Sequence, residues 1–205
     1  TLLPNYRSAD RLVPGTVKRV DINGDNEITI DDLQYYGDAN PHYSFGLNLG
    51  LQWKGFDVSA FFQGVMKQNI QRTGHLSSPF ASWWTNQNVS FLGNTWTPEN
   101  TDAKYPAMYY NGARKTWNYT GINDINIVNA RYCRAKVISV GYTLPRSIVE
   151  KMKIQNLRFS LTGNDLFVIS NVKDGMDPEI GTSVANGKGT VPFTSTLIFG
   201  VDLTF

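Results

Sequence analysis

The chain has 205 residues, of which 41% are hydrophobic, 13% aromatic and 18% charged, with a formal net charge of +2. That balance argues against a disordered chain and gives no basis for binding nucleic acid or an anionic membrane surface. With a mean hydropathy of −0.29 and no apolar run near the about 20 residues of a spanning helix, a helical membrane protein is excluded, whereas a β-barrel is not, because its strands alternate.

The chain opens at Thr1 without Met or a secretory signal, and it is expected to be the C-terminal part of something longer. The first patterned segment is Asp21-Ile22-Asn23-Gly24-Asp25-Asn26-Glu27-Ile28-Thr29-Ile30-Asp31-Asp32. On a 12-residue EF-hand-type loop, Asp21, Asn23 and Asp25 hold positions 1, 3 and 5. Glu27 offers its carbonyl at 7, Thr29 stands at 9 and Asp32 at 12. Hard oxygen ligands at this spacing suit a structural Ca²⁺. Asn26 replaces the usual Gly, and Asp32 replaces the bidentate Glu, as in dockerin loops. A hydrated Asp/Asn/Gly turn without metal is the other reading. Residues 1–41 are expected to form an extracellular segment carrying this loop.

From 43 to 53 the odd positions are Tyr43, Phe45, Leu47, Leu49, Leu51 and Trp53, separated by Ser, Gly, Asn, Gly and Gln. This period-2 register predicts a strand about as long as a tilted membrane-spanning one. Lys54-Gly55 predicts a two-residue hairpin turn into a strand at about 56–65. The segment 66–129 reads as a long loop rich in aromatics, including Trp83, Trp84, Trp96, Tyr105, Tyr109, Tyr110 and Trp117. Such rings either stack on a ligand or touch a lid protein, the candidates being Trp83, Trp84, Trp96, Tyr109, Tyr110 and Trp117, or they form the loop's own small core.

Further strands are expected at about 130–144, 157–168 and 193–205, with loops at 145–156 and 170–192. No amphipathic helix is expected beyond a short turn near Ser147 to Met152. Cys133, the single cysteine, reads as a small buried or lipid-facing residue rather than a reactive thiol. Asp177-Pro178-Glu179 reads as a turn with solvated acids. Asn88 and Asn118 begin N-x-S/T triplets to which this reading gives no role. No nucleophile elbow, zinc-helix motif or phosphate loop is present, so an enzyme is not expected.

Short and long connections alternate strictly, as periplasmic turns and extracellular loops do in outer-membrane barrels. Trp53, Phe56, Tyr142 and Phe205 fall at one end of the strands, where an interfacial aromatic girdle belongs. The chain ends Phe199-Gly200-Val201-Asp202-Leu203-Thr204-Phe205. A terminal alternating strand closed by an aromatic resembles the signal read by the barrel-assembly machinery, here Phe199, Gly200, Leu203 and Phe205. The expected fold is therefore all-β: about five C-terminal strands, within residues 42–205, of a large transmembrane antiparallel barrel contacting outer-membrane lipid. Five strands cannot close a barrel, so partner strands are required. A calcium-stabilised β-sandwich that binds at the surface without transporting is the alternative, since sandwiches alternate too.

Several stretches taken together resemble the C-terminal end of the SusC/RagA family of TonB-dependent outer-membrane transporters. They are D-I-N-G-D-N-E-I-T-I-D-D, Y-S-F-G-L-N-L-G-L-Q-W-K-G-F-D-V-S-A-F-F-Q-G-V, N-T-W-T-P-E-N, V-I-S-V-G-Y-T-L-P, L-R-F-S-L-T-G-N-D-L-F, D-P-E and F-G-V-D-L-T-F. The resemblance implies a barrel of roughly 22 strands, an N-terminal plug, a TonB-contacting segment and a SusD-like lipoprotein lid, in the outer membrane of a Gram-negative bacterium. It further implies import of oligosaccharides or peptides, energised through TonB.

Overall fold

The computed structural model describes residues 12–80, 86–110, 112–120, 123–180 and 193–205. They divide into two compact units. One comprises the described residues of 12–39 and 69–128, the other those of 40–68, 129–180 and 193–205.

The second unit is a five-stranded antiparallel sheet. Its strands are β1 (His42–Trp53), β2 (Phe56–Lys67), β5 (Tyr132–Thr143), β6 (Asn156–Ser170) and β7 (Thr196–Thr204), in the order β1-β2-β5-β6-β7. The hairpin joining β1 to β2 turns on Lys54 (φ 47°) and Gly55 (φ 87°). Two consecutive positive φ values give the turn whose twist matches that of the strands, and they favour glycine at the second position. The β5–β6 connection is a single helical turn, α2 (Arg146–Val149), running into a 3₁₀ turn at Glu150–Met152.

The register aligns the alternating sequence into rows that cross the whole sheet. Trp53, Phe56, Tyr142, Phe159 and Val201 make one row. Leu51, Val58, Val140, Leu161 and Phe199 make the next, followed by Leu49, Ala60, Ile138, Gly163 and Leu197. All these positions share one face, because side chains on a strand alternate between faces. A globular sandwich would cover that face with a second layer. Instead Leu49, Val140 and Val201 are 52%, 42% and 51% exposed, and no second layer packs on them among the described residues. From Phe56 to Met66, β2 rises about 33 Å at ~3.3 Å per residue, which the usual barrel tilt projects to the roughly 25 Å of a lipid-facing band.

The first unit holds β3 (Asn69–Gln71), which pairs with β4 (Ile127–Asn129). It also holds the helix α1 (Gly112–Tyr119), which the alternation of the sequence did not reveal. Among the described residues no helix is long and apolar enough to cross a membrane.

Candidate functional site

The opposite face of the sheet carries its chemistry, and two features of the sequence build it. The first is Gly141 on β5. An ideal Cβ there would meet Arg158 Nη2 and lie 2.5 Å from Asp57 Oδ1. With glycine in place, Arg158 on β6 reaches across β5 to β2. Its Nε and Nη2 donate to the two carboxylate oxygens of Asp57 at 3.1 and 2.7 Å, while Nη1 donates to Asp202 on β7 at 3.2 Å. This bidentate geometry fixes direction as well as distance and ties three strands across a fourth. Ser139 and Thr162 share a hydrogen bond of 2.8 Å on the same face.

The second feature is a β-bulge. The register of β5 slips against β2 between Phe61 and Phe62, and against β6 between Ala135 and Val137. One extra residue reverses which positions face which side. Below the bulge the even residues Ile138, Val140 and Tyr142 lie in the apolar rows. Above it Ala135 and Cys133 stand opposite Phe62 and Gly64 on that same face. Arg134 therefore turns to the polar face, opposite Gln63, with the displaced Lys136 beside it. On β6, Asp165 adopts φ 48° at the matching irregularity.

Onto these residues folds the Asp177-Pro178-Glu179 turn. Arg134 Nη2 bonds Asp177 Oδ2, and Arg134 Nε lies 3.0 Å from Glu179 Oε2. Lys136 Nζ lies 2.9 Å from Glu179 and 3.2 Å from Asp165. The side chains of Arg134 and Asp177 are 3% and 5% exposed. Phe193 covers the group, its ring centroid 4.8 Å from the guanidinium carbon and 4.4 Å from the ammonium. The expectation of solvated acids at Asp177 and Glu179 is thus corrected. A proline turn between two acids looks solvent-loving in sequence, but Arg134 and Lys136, more than 40 residues earlier, bury it as a counter-charge. The two cations that follow Cys133 in sequence, Arg134 and Lys136, are the signal that points to this pairing, and Cys133 itself is half-buried.

In the first unit, Trp83 and Trp84 lie outside the described residues. The other aromatic candidates are engaged locally. Trp117 Nε1 donates to the Val17 carbonyl at 2.8 Å, and the Arg19 guanidinium sits 4.0 Å from its ring centroid. Arg114 lies 5.7 Å from the Tyr109 ring, and Tyr110 meets Phe80 edge-on at 5.6 Å. Trp96 packs against Gly15, whose φ of 85° and missing side chain leave room for the indole. Among the described residues of this unit, the buried aromatic cluster is formed by three other residues, Phe91, Tyr105 and Tyr119. Burial, and next the neighbouring Tyr105, push the Tyr119 hydroxyl well above the ordinary phenol range. It donates to the Pro106 carbonyl. Asn118 is buried too, accepting from Val17 N and donating to the Ala107 carbonyl.

The 21–32 loop is closed by its own carboxylates. Asp21 accepts from the backbone N–H groups of Gly24 and Asn26, and Asp32 from those of Ile22 and Thr29. Donation from Thr29, then from Ile22 and Asn23, holds the Asp32 carboxyl below its ordinary range. Asn23 bonds Asp25 through both amide atoms. The donor chemistry suits Ca²⁺. Among the described residues, though, no group of three His, Cys, Asp or Glu converges as a metal site.

At the other end of the chain, Phe199, Leu203 and Phe205 of the expected assembly signal are 68%, 46% and 80% exposed. Gly200 lies opposite Ser160 on the polar face.

No family model matches the chain. TonB-dependent receptor P3 of Formosa agariphila is 28% identical over 202 residues, covering 94% of this chain and 19% of that protein. TonB-dependent receptor P26 of the same organism is 26% identical over 205 residues, covering 96% and 20%. The RagAB peptide importer shares the fold in its open-open state, with a TM-score of 0.65 and 22% identity over 88% of this chain and 19% of the solved one. In its closed-closed state the TM-score is 0.67, again at 22% identity, over 91% and 20%. The chain spans about a fifth of the length of these relatives. Sequence and fold thus agree with the motifs: nearly the whole chain is similar to a fifth of TonB-dependent receptors, and its sheet has the fold of a section of the RagAB β-barrel.

Proposed function

We propose that the protein containing this sheet imports oligosaccharides or peptides across the outer membrane of a Gram-negative bacterium, energised by the TonB complex and gated by a SusD-like lipoprotein. The observation that carries this reading is the sheet's division into an uncovered apolar face and a polar, ion-paired one. The first suits lipid and the second a solute path. A surface-binding sandwich would bury Leu49, Val140 and Val201, which are exposed. That the named relatives are TonB-dependent receptors and a peptide importer supports transport over enzymatic work. The test is uptake by cells carrying or lacking the full-length gene, supplied with single peptides or oligosaccharides. Import that survives loss of the gene, or loss of TonB, would refute the proposal.

The extracellular loops would meet the lid or the solute through Trp96, Tyr109, Tyr110 and Trp117, together with Trp83 and Trp84. Phe199, Gly200, Leu203 and Phe205 would be read by the assembly machinery. A structural Ca²⁺ in the 21–32 loop would take its oxygens from Asp21, Asn23, Asp25, Glu27, Thr29 and Asp32. Binding would require Asn23 to release Asp25. Metal analysis of the full-length protein beside its Asp21→Ala/Asp25→Ala variant tests this, and equal calcium in both would end it.

A further inference from the structure

The end of the sheet where the short connections lie carries an excess of positive charge that the even overall composition conceals. Lys54 stands in the β1–β2 hairpin. Arg146, Lys151 and Lys153 lie in the β5–β6 connection, where Glu150 is the one acid among them. All five side chains are exposed. We infer that this end of the sheet binds the anionic headgroups of phospholipids, with the β5–β6 connection lying in the membrane interface as an amphipathic turn. The inference goes beyond import, and it rests on the apolar face of the sheet being the lipid-facing one.

Three observations converge. On the polar face, Arg134, Lys136 and Arg158 are each neutralised by carboxylates. Among the described residues, Lys54, Arg146, Lys151 and Lys153 are paired with no acid. Asp57 and Asp202, at the same end of the sheet, are bonded to Arg158. Next, the apolar face runs up to these cations without a break. Beyond the row of Trp53, Phe56 and Tyr142 come Leu157, opposite Leu203, and Leu144, whose N–H donates to the Leu157 carbonyl at 2.9 Å. Lys54 follows Trp53 directly, its ammonium 5.1 Å from that ring centroid, and Arg146 follows Leu144 by two residues. Aliphatic rows, then aromatic rings, then cations repeat the order of acyl chain, interface and headgroup across a leaflet. Finally, the β5–β6 connection is itself two-sided. Val149, 2% exposed, anchors it, and its carbonyl accepts from Ile154 N at 3.2 Å. Ile148 and Met152, about one helical turn apart, are 46% and 56% exposed. Apolar side chains left open beside three cations are the make-up of a segment that lies in the interface plane. An acidic protein would match the charges but would leave Ile148, Met152 and their continuity with the aromatic row unexplained.

The experiment places the full-length protein in lipid discs of mixed phosphatidylglycerol and phosphatidylcholine. A trace of one lipid or the other carries the same photoreactive diazirine acyl chain. After illumination and digestion, mass spectrometry compares adducts at Lys54 and at residues 144–157 with adducts on the mid-sheet row of Val140, Leu161 and Phe199. The two connections should take about five-fold more phosphatidylglycerol than phosphatidylcholine, the gain expected from one cation at an anionic surface, and the mid-sheet row should discriminate less. Lys54→Gln/Arg146→Gln/Lys151→Gln/Lys153→Gln should remove that preference while the mid-sheet row is still labelled, which certifies that the variant is folded in the membrane. Equal labelling of the connections by the two lipids in the unaltered protein overturns the inference, and so does a preference that survives the variant. Adducts on the mid-sheet row with none at the connections overturn it as well and point to a protein partner there. Failure to label the mid-sheet row in the unaltered protein would instead sink the lipid-facing reading of the apolar face, and this inference with it. None of these outcomes bears on uptake by whole cells, which tests import separately.

Discussion

Replacing Arg134 by Met tests whether the ionic cluster holds the Asp177-Pro178-Glu179 turn to the sheet. The side chain keeps an unbranched apolar stem but loses the guanidinium. In the structure this strips Asp177, 5% exposed, of its partner and leaves one cation facing three carboxylates. Removing one member of a buried pair costs about 3–5 kcal/mol, because the other remains buried and unpaired. Asp177→Asn acts differently. The amide oxygen can still accept from Arg134, and the cluster becomes neutral, so its cost should be only about 1–2 kcal/mol. The double variant Arg134→Met/Asp177→Asn removes the orphaned charge, and its cost should fall short of the sum by more than about 1 kcal/mol. Urea unfolding of the full-length protein in lipid vesicles, followed by the gel shift between folded and unfolded barrel, measures all four corners of the cycle. Additive losses, or Arg134→Met no worse than Asp177→Asn, would refute the claim that these groups act as a buried pair.

Three further outcomes follow from the same geometry. Phe91, 1% exposed and 4.8 Å from the Tyr105 ring centroid, anchors the small core of the first unit. Phe91→Ala should cost that unit about 3–5 kcal/mol, so amide exchange should quicken through residues 86–120 and stay slow in the sheet; equal loss in both would show that the core is not local. Gly64→Ala puts a methyl group against the Tyr132 carbonyl and 2.7 Å from the Phe45 ring, an overpacking worth about 1–3 kcal/mol. At Gly50, where a Cβ meets nothing within 4 Å, alanine should change stability by less than about 0.5 kcal/mol in the same urea assay. Asp32, with its carboxyl held below the ordinary 3.8, stabilises the 21–32 loop above that value and ceases to as pH falls through the lower folded value. The protection factors of the Ile22 and Thr29 amides, after division by the intrinsic exchange rate at each pH, should therefore fall on acidification in the unaltered protein and stay independent of pH in Asp32→Asn.

The strands were legible in sequence because each strand carries its own complete alternation. Tyr43 through Trp53 alternate without help from any partner, and the register of β1 on β2 follows from the Lys54-Gly55 turn. What alternation cannot show is where its phase slips. Lys136 breaks the pattern of β5 by a single residue, and a one-residue slip moves Arg134, Ala135 and Cys133 to the faces opposite those their numbers suggest. The short helix α1 escaped for another reason. Its Ala113-Arg114-Lys115-Thr116 run carries no apolar stripe, and its two buried residues, Asn118 and Tyr119, both carry polar groups that donate to backbone carbonyls, with the Tyr119 ring also packed on Phe91.

The ionic cluster joins these two kinds of blindness. A bulge in an otherwise regular strand is tolerated where it re-aims a side chain, and here it brings Lys136 into line with Arg134 and toward the turn that follows β6. The acids of that turn then need no solvent. Asp177 caps its own turn through the Glu179 amide at 2.9 Å while its other oxygen takes Arg134. Each partner was conspicuous alone as a charge in a place that a strand or a loop would normally leave wet. Only the phase slip on β5 puts them within reach of each other, so in barrel sequences of this kind a charged pair at i and i+2 inside an otherwise apolar-alternating strand is a reason to look for a distant acidic turn.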